Sequence, residues 1–485
     1  MHCVRSWLAA VSVVALCAGC GGGNSSQTSY SGVDKSTVVL ATPVGSNTTE
    51  VIVDSGPSTF STGTANVPFV TVTVCRPNSG PAAPGNCATI DHVFLDTGSY
   101  GLRLLKSSVA GLSLPPLTLA ADALNNTPSG TAVECYPFVL GGVWGPLARA
   151  DVHVAGETAA AIPIQIIDDP ASASLAQQSD CVAAAGGQPM VDVCVAKGTS
   201  LASCTATAAS KVLFSTVSSL QANGILGVGM IPYDCGLTCT SPANYAGFHI
   251  QYYVCPDSDP AHCQAAAVST DQQTQNPVAH FVPDDGNPAA DNNGTIVYLP
   301  PLSAVGATVA KGRLVFGIGT RSNNQISAGA KTIFADVNPS SPSYLYFTTA
   351  LGQVSYPDSY IDSGSNAYFF NDASISQNCA SSAGSGSTSG WYCPPGTTPL
   401  SLSATLTDSR LPPNSAPVSF SIANADAIFG TSSTAFNNLG GSITSAPQTF
   451  VWGLSFFFGR SVYTSIWGQA LSSNGPWNAF ETQTP

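Results

Sequence analysis

Two short stretches of the chain carry an aspartate, Asp96 or Asp362, directly after an apolar run. In both, a hydroxyl residue, a glycine and a serine follow the aspartate: Thr97, Gly98 and Ser99 in the first stretch, and Ser363, Gly364 and Ser365 in the second. Glycine permits a tight loop after a buried strand, and that loop can hold the aspartate at the strand end. We expect the first hydroxyl of each loop to bond across to the other loop, and each later serine to bond its own aspartate.

Two such loops brought face to face would place two carboxyl groups within hydrogen-bonding range. They could not both ionise at low cost, so they would share one proton over a wide pH range. The charged carboxylate can then draw a proton from water while the protonated group polarises a peptide carbonyl. A third stretch, V-I-V-D-S-G-P, has Pro57 in place of the serine after Asp54 and no partner motif, and we interpret it as a turn.

The elements that would position these loops are predicted to be short strands. Runs rich in β-branched residues, often alternating, occur at residues 51–53, 67–75, 92–95, 152–155, 162–167 and 313–319. Helical patterns are few and short, and residues 215–222 form the best of them. The sequence therefore predicts an all-β protein with a few short helices.

One segment is typical of a β-hairpin. Two strand-like runs flank Gly141 and Gly142, a pair that readily adopts the positive φ angles of a tight turn. The hairpin carries Tyr136 and Trp144. It could be an ordinary sheet edge or a mobile flap over a cleft.

The composition excludes several classes of function. The 485 residues contain only 14 Lys plus Arg, carry a net charge of −13 and show no basic run, which argues against nucleic-acid binding. We find no G-x-S-x-G elbow, no H-E-x-x-H and no Gly-Lys pair for a phosphate loop. We expect neither a metal ion nor a cofactor.

The first 20 residues have the pattern of a signal peptide. A weakly positive start precedes an apolar stretch at residues 7–16 that is too short to span a bilayer. The small residues before Cys20 resemble a bacterial lipoprotein signal, which implies a lipid on Cys20 of an exported chain. Residues 21–48 then form a Gly/Ser/Thr-rich tether. By the same resemblance, Gly21 favours the outer membrane, with the protein facing the periplasm or the cell surface.

Beyond those first residues the chain has twelve cysteines, an even number suited to an oxidising compartment. Four pairs close in sequence are predicted disulfides: Cys75 with Cys87, Cys235 with Cys239, Cys255 with Cys263, and Cys379 with Cys393. The other four can pair in three ways: Cys135, Cys181, Cys194 and Cys204. A zinc site is the alternative, but metal-like spacing and an accompanying histidine are missing.

The order of these motifs resembles that of bilobal pepsin-like aspartic peptidases, and more closely that of uncharacterised bacterial lipoproteins related to that fold. The resemblance covers most of residues 60–468 and implies a double β-barrel with a catalytic-type cleft between its lobes. It implies an N-terminal lobe at residues 49–300, with disulfide-rich insertions, and a C-terminal lobe at residues 301–485. It also implies two apolar residues and a glycine supporting each loop: Ile225, Leu226 and Gly227 for the first, and Val451, Trp452 and Gly453 for the second.

By this resemblance Asp96 and Asp362 are the catalytic residues, and Tyr136 and Trp144 are candidates for the flap aromatic by their hairpin position. The implied function is a lipid-anchored, monomeric endopeptidase that hydrolyses polypeptides through an activated water. The alternative is a catalytically silent scaffold that binds peptide or glycan in the cleft, at the surface or in the periplasm.

Overall fold

The structure, a computed structural model, describes most of the chain. The described residues are 37–39, 44–59, 64–79, 85–138, 141–167, 212–241, 251–260, 262–287, 290–338, 344–377, 379, 390–443, 446–470 and 475–482. The predicted signal peptide, Cys20 and most of the predicted tether lie outside these residues. So do three of the four cysteines whose pairing was left open: Cys181, Cys194 and Cys204.

Strands dominate the described chain. In order they are β1 (Thr37–Val39), β2 (Thr48–Val53), β3 (Pro68–Cys75), β4 (Cys87–Asp96), β5 (Tyr100–Leu105), β6 (Thr118–Leu119), β7 (Gly130–Phe138), β8 (Gly141–Val154), β9 (Glu157–Ile167), β10 (Val212–Leu213), β11 (Gly224–Val228), β12 (Gln251–Cys255) and β13 (Gln264–Ala265). The later strands are β14 (Val282–Pro283), β15 (Gly294–Tyr298), β16 (Val309–Phe316), β17 (Lys331–Phe334), β18 (Phe347–Leu351), β19 (Val354–Ile361), β20 (Tyr368–Phe369), β21 (Leu400–Thr407), β22 (Ser415–Ile422), β23 (Gly440–Gly441), β24 (Thr449–Trp452), β25 (Arg460–Ser465) and β26 (Trp477–Thr482).

The helices of the described chain are short. They are α1 (Val217–Leu220), α2 (Ala425–Phe429) and α3 (Leu454–Phe457), with 3₁₀ turns at Lys106–Val109, Gly236–Thr240 and Pro277–His280. A capping box between Thr216 and Ser219 starts α1, and Gln221 ends it in the left-handed conformation. None of these helices is long and apolar enough to span a membrane.

The strands form two sheets. Strands β1–β17, β25 and β26 belong to a large sheet, and β18–β24 belong to a small sheet. Each sheet carries one aspartate loop: Asp96 lies at the end of β4, and Asp362 follows β19. One hydrophobic cluster contains residues from both sheets, including Leu226 and Trp452, so the core is continuous beneath the two loops.

A buried asparagine ties the segment before β3 to the loops around the small sheet. Asn66 is fully buried and has φ 54°, a left-handed conformation that asparagine tolerates better than most residues. Its Nδ2 donates to the carbonyls of Asn366 (2.8 Å) and Phe436 (2.7 Å), and its Oδ1 accepts from Phe436 N at 2.6 Å. Its own backbone N–H donates to Thr434 O. This side chain therefore acts as a clamp between the segment before β3 in the large sheet and the loops around the small sheet.

The structure confirms the all-β prediction: strands predominate in the described chain, and each of the two sheets carries one aspartate loop. Each predicted strand overlaps an observed one, and the predicted helix contains α1. The four predicted neighbouring disulfides are also present: Cys75–Cys87, Cys235–Cys239, Cys255–Cys263 and Cys379–Cys393. Cys135 is disulfide-bonded as well.

The predicted turn at Gly141 and Gly142 is wrong. These glycines open β8, where Gly141 pairs with Phe138 and Gly142 with Pro137. They also pair in parallel with β10, so the pair lies inside the sheet. Glycine within a strand often marks a close approach of another backbone, so a glycine pair is compatible with a strand as well as with a turn.

Candidate active site

The first aspartate loop joins two strands that β11 holds in place. β11 runs parallel to β4 and antiparallel to β5, so Gly227 faces both Asp96 and Gly101. A Cβ atom on Gly227 would lie only 2.6 Å from the backbone nitrogen of Tyr100. The predicted support therefore lies directly against the loop, and its glycine is required by the close backbone contact.

The second loop repeats this plan. β24 runs parallel to β19, with Trp452 opposite Ile361, and the N–H of Asp362 donates to Trp452 O at 3.1 Å. A Cβ on Gly453 would lie 2.5 Å from Ser365 O and closer still to Ala367 O. Both predicted supports thus have the same relation to their aspartate.

Each aspartate is oriented by its own loop. In both loops the glycine N–H donates to Oδ1 and the later serine hydroxyl donates to Oδ2: Gly98 (2.8 Å) and Ser99 (2.5 Å) to Asp96, and Gly364 (2.7 Å) and Ser365 (2.7 Å) to Asp362. Matching bonds in the two loops leave the carboxyl groups in equivalent orientations.

The two loops are also bonded to each other. The N–H of Thr97 donates to Ser363 Oγ at 3.0 Å, and the N–H of Ser363 donates to Thr97 Oγ1 at 2.9 Å. Ser363 Oγ donates in turn to Leu95 O at 2.8 Å. All these groups are buried, so each bond forms where an unpaired polar atom would be costly.

The two carboxyl groups meet at the centre of this arrangement and are hydrogen-bonded. A side chain at Gly364 would collide with Asp96 Oδ1 and lie 3.0 Å from Asp362 Oδ1, so one point adjoins both groups. Burial, and next the charge of Asp96, raise the pKa of Asp362 well above its ordinary value; bonds from Ser365 and Gly364 oppose this. A pair placed in this way holds one proton between its members.

Both aspartates are fully buried. The negative charge of Asp96 contributes to a raised pKa at three tyrosines: Tyr100, Tyr136 and Tyr360. Burial is the main cause that raises the pKa of each, so their hydroxyls stay protonated and can donate hydrogen bonds. The pair is therefore surrounded by tyrosines whose hydroxyls are uncharged.

The two flap candidates lie on opposite faces of the β7–β8 hairpin. Tyr136 pairs with Val143 and faces the first aspartate loop, where it is within electrostatic range of Asp96. Trp144 pairs with Cys135, and its ring packs 5.0 Å from that of Tyr253 in a separate cluster. Of the two candidates, Tyr136 is thus the one within electrostatic range of Asp96, whereas Trp144 packs in another cluster.

Sequence reasoning missed a buried charged group beside the site. Arg103 lies in β5, a strand whose residues are all buried, and its guanidinium forms ion pairs with Glu134 and Asp234. A charged residue inside an apolar strand is itself a signal, because a buried charge requires a partner. Its partners are 31 and 131 residues away, so sequence patterns did not identify them.

The third D-S-G stretch forms a local turn, as predicted. Asp54 accepts from the N–H of Gly56 at 2.9 Å, and Gly56 has φ 88°. The other side-chain oxygen of Asp54 lies 3.3 Å from Nε2 of His92. Asp54 thus makes none of the bonds across loops that Asp96 and Asp362 share.

One group within the described chain has metal-like spacing, namely Cys379, Cys393 and Asp426. The two cysteines form a disulfide with each other, so they offer no thiolate to a metal.

Comparisons with known proteins give a family and a structural likeness. A protein-family model described as "Protein of unknown function (DUF3443)" matches residues 43–480. No curated protein matches the sequence. Among solved structures, an aspartic proteinase from Irpex lacteus is similar, with a TM-score of 0.41 and 13% identity over 90% of this chain and 97% of the other.

Proposed function

We propose a function for this chain, which belongs to the family of proteins of unknown function designated DUF3443: hydrolysis of polypeptides by water activated between Asp96 and Asp362. The observation that carries the proposal is the meeting of the two carboxyl groups. They are hydrogen-bonded to each other and held by the same bonds in two loops. Two coupled carboxyl groups in equivalent orientations are what this chemistry requires.

In the proposed reaction Asp362 holds the shared proton, in line with its raised pKa. Asp96 removes a proton from water as the oxygen of that water attacks the peptide carbonyl carbon. Asp362 gives its proton to the carbonyl oxygen, and a tetrahedral diol forms. Asp96 then gives its proton to the amide nitrogen, and a diol hydroxyl returns a proton to Asp362 as the C–N bond breaks. A carboxylic acid and an amine are released, and the pair again holds one proton.

The cleft must open before this reaction can begin. Both aspartates have no solvent-exposed surface, so neither water nor a peptide reaches them in this conformation. In the proposed reaction, substrate entry would therefore require the aromatic residues around the pair to separate.

The test is a peptide-digestion assay with the purified mature chain between pH 3 and pH 7, with products identified by mass spectrometry. Asp96→Asn and Asp362→Asn should each remove cleavage, because each leaves the pair without one of its two roles. Asp54→Asn is the matched control, since Asp54 also follows a strand in a D-S-G stretch but belongs to a separate turn. Circular dichroism verifies that every variant folds.

Pepstatin should inhibit the wild-type cleavage. If both dyad variants cleave as fast as the wild type, the reaction belongs to another site or to a contaminant, and the proposal is wrong.

The complete burial of the pair also favours a second candidate, the non-enzymatic scaffold that binds peptide or glycan. It predicts saturable binding with no turnover at any pH. Pepstatin-sensitive cleavage by the pure protein would exclude it.

We also propose that the mature chain is a lipid-anchored monomer, exported and held at a bacterial membrane. The sequence around Cys20 and the disulfides of the folded part support export to an oxidising compartment. Cys20→Ser should move the protein from the membrane fraction to the soluble fraction, whereas Cys3→Ser should leave it with the membrane. Retention of the Cys20 variant in membranes would rule out the anchor.

A further inference from the structure

Arg103 is fully buried, which is rare for an arginine. Its Nη2 lies 2.7 Å from Glu134 Oε1 and 2.9 Å from Asp234 Oδ1, and both carboxylates are fully buried on their side chains. Its Nη1 donates to the carbonyl of Tyr100, the residue that follows the first aspartate loop. The guanidinium is thus fixed from two sides, next to that loop.

The carboxylates have further partners. Thr274 Oγ1 donates to Glu134 Oε2 at 2.7 Å, and Tyr252 OH donates to Asp234 Oδ2 at 2.5 Å. A network of this kind is costly to bury, and apolar residues of similar size often stabilise a fold equally well. Stability alone therefore gives no reason for its presence. What an ion-paired guanidinium provides is a rigid, planar surface at a defined position.

The surface of Arg103 is covered by Tyr136. The guanidinium carbon lies 3.7 Å from the centre of the Tyr136 ring, within the range of a cation–π contact. Glu134 and Tyr136 are two residues apart on β7 and share one face of that strand. Strand β7 therefore contacts Arg103 twice: Glu134 forms an ion pair with the guanidinium, and the Tyr136 ring stacks on it.

We propose that Arg103 is a positioning residue of the site. Glu134 and Asp234 fix its guanidinium, and the guanidinium in turn holds the Tyr136 ring in place beside the Asp96 loop. This inference rests on the proposed function, because the position of the Tyr136 ring matters for catalysis only if the aspartate pair cleaves peptides. β11 links the two parts, since Ile225 pairs with Arg103 and Gly227 pairs with Asp96.

The first test measures peptide cleavage by four variants. Arg103→Lys retains the positive charge but loses the planar guanidinium on which the Tyr136 ring stacks. Tyr136→Leu removes the ring without leaving a buried charge unpaired. Each should lower kcat by about 10²-fold with little change in KM, as a misplaced active-site group does. Tyr136→Phe retains the ring and should therefore lose much less activity than Tyr136→Leu. Arg149→Lys is the matched control, because Arg149 bonds backbone carbonyls in the same sheet and lacks an aromatic partner in the described structure.

The double variant Arg103→Lys/Tyr136→Leu decides the mechanism. If the arginine acts through the tyrosine, the double variant loses no more activity than either single one. Multiplied losses, or an unaffected Arg103→Lys, would overturn the proposal.

A second readout does not depend on cleavage. Amide hydrogen exchange in β7 should be at least about tenfold faster in Arg103→Lys than in the wild type, with β22 of the small sheet unchanged. If the wild type cleaves no peptide, the proposed function fails, yet faster exchange in β7 still supports the positioning role of Arg103. Unchanged exchange in β7 overturns that role whether or not peptides are cleaved.

Discussion

Asp362 is buried next to another carboxyl group, and both facts raise its pKa well above the ordinary aspartate value of 3.8. The proton that it holds in the folded protein is therefore lost only at higher pH than in a free aspartate. In the proposed reaction this proton is the one given to the carbonyl oxygen. We expect the alkaline limb of the pH profile for kcat/KM to lie well above pH 3.8, as measured with a fluorogenic peptide. A limb that coincides with the ordinary aspartate value would contradict the assignment of the proton to Asp362.

The same shift affects stability. Because the folded pKa of Asp362 is raised, the folded protein binds this proton more tightly than the unfolded chain does. Stability is therefore lost as the pH rises from the unfolded value of 3.8 towards the folded one. Asp362→Asn, which cannot ionise, should melt at a higher temperature than the wild type at pH 7, and the difference should shrink at pH 4. An equal difference at both pH values would show that the substitution acts by some other means.

Glu157 provides a second case, away from the aspartate pair. It is fully buried near Asp291, and burial, followed by that neighbour, raises its pKa to about 8. Arg321, 3.6 Å away, opposes the shift. Wild-type stability should fall between pH 4.5 and about 8, the unfolded and folded values, and Glu157→Gln should remove that part of the fall.

Thermal melts at pH 4.5 and pH 8 measure the effect of Glu157→Gln. The exposed Glu50, which pairs with Lys311 on the surface, gives the control variant Glu50→Gln. A Glu157→Gln variant that loses stability with pH as steeply as the wild type would refute the prediction.

Individual residues were predictable from sequence only where a pattern is repeated. The D-[T/S]-G-S stretches predicted both aspartates and the serine bonds to them, because a loop four residues long determines its own geometry. Arg103 lies seven residues beyond Asp96, yet its role depends on Glu134 and Asp234, which only the folded chain brings to it. Long-range pairs of this kind leave no local pattern.

At the scale of elements, each support strand must pass very close to its loop. Gly453→Ala would force a Cβ within 2.5 Å of Ser365 O, so we expect it to lower stability by about 1–3 kcal/mol and to displace the second loop. Gly329→Ala is the control, because its nearest neighbouring atom would lie at 3.6 Å. Urea denaturation measures both. Equal stability of the two variants would mean that the backbone yields easily at Gly453.

Strands were predicted more reliably than turns. Alternating runs such as residues 67–75 identify β3 because one face of that strand is buried over most of its length. The hairpin turn was misplaced because Gly141 and Gly142 suit either a turn or a close strand contact, and only the register with β7 and β10 distinguishes the two. The parallel pairings of β11 and β24 connect distant parts of the chain, and the sequence suggested them only through a resemblance.

At the scale of the molecule, Asn66 clamps the segment before β3 to the loops around the small sheet. Asn66→Ala leaves buried carbonyl and N–H groups without their partner, so we expect a loss of about 1–3 kcal/mol in the free energy of unfolding. Amide exchange around Asn366 should also become faster, since the clamp holds that residue. The control is Asn125→Ala, whose exposed side chain bonds only Asp122 in the described structure. If Asn66→Ala lowers the free energy of unfolding no more than Asn125→Ala does, the hydrogen bonds of Asn66 add nothing to stability.

The bonds between Thr97 and Ser363 have a consequence for biosynthesis. These residues are 266 positions apart, and each loop obtains part of its geometry from the other. A nascent chain that has released only its first half therefore possesses one incomplete loop and lacks the aspartate pair on which the proposed hydrolysis depends. The bonds between the loops can form only once the second half has folded against the first. Two fragments cut between the loops should be inert separately and recover activity when mixed, because complementation restores these shared bonds.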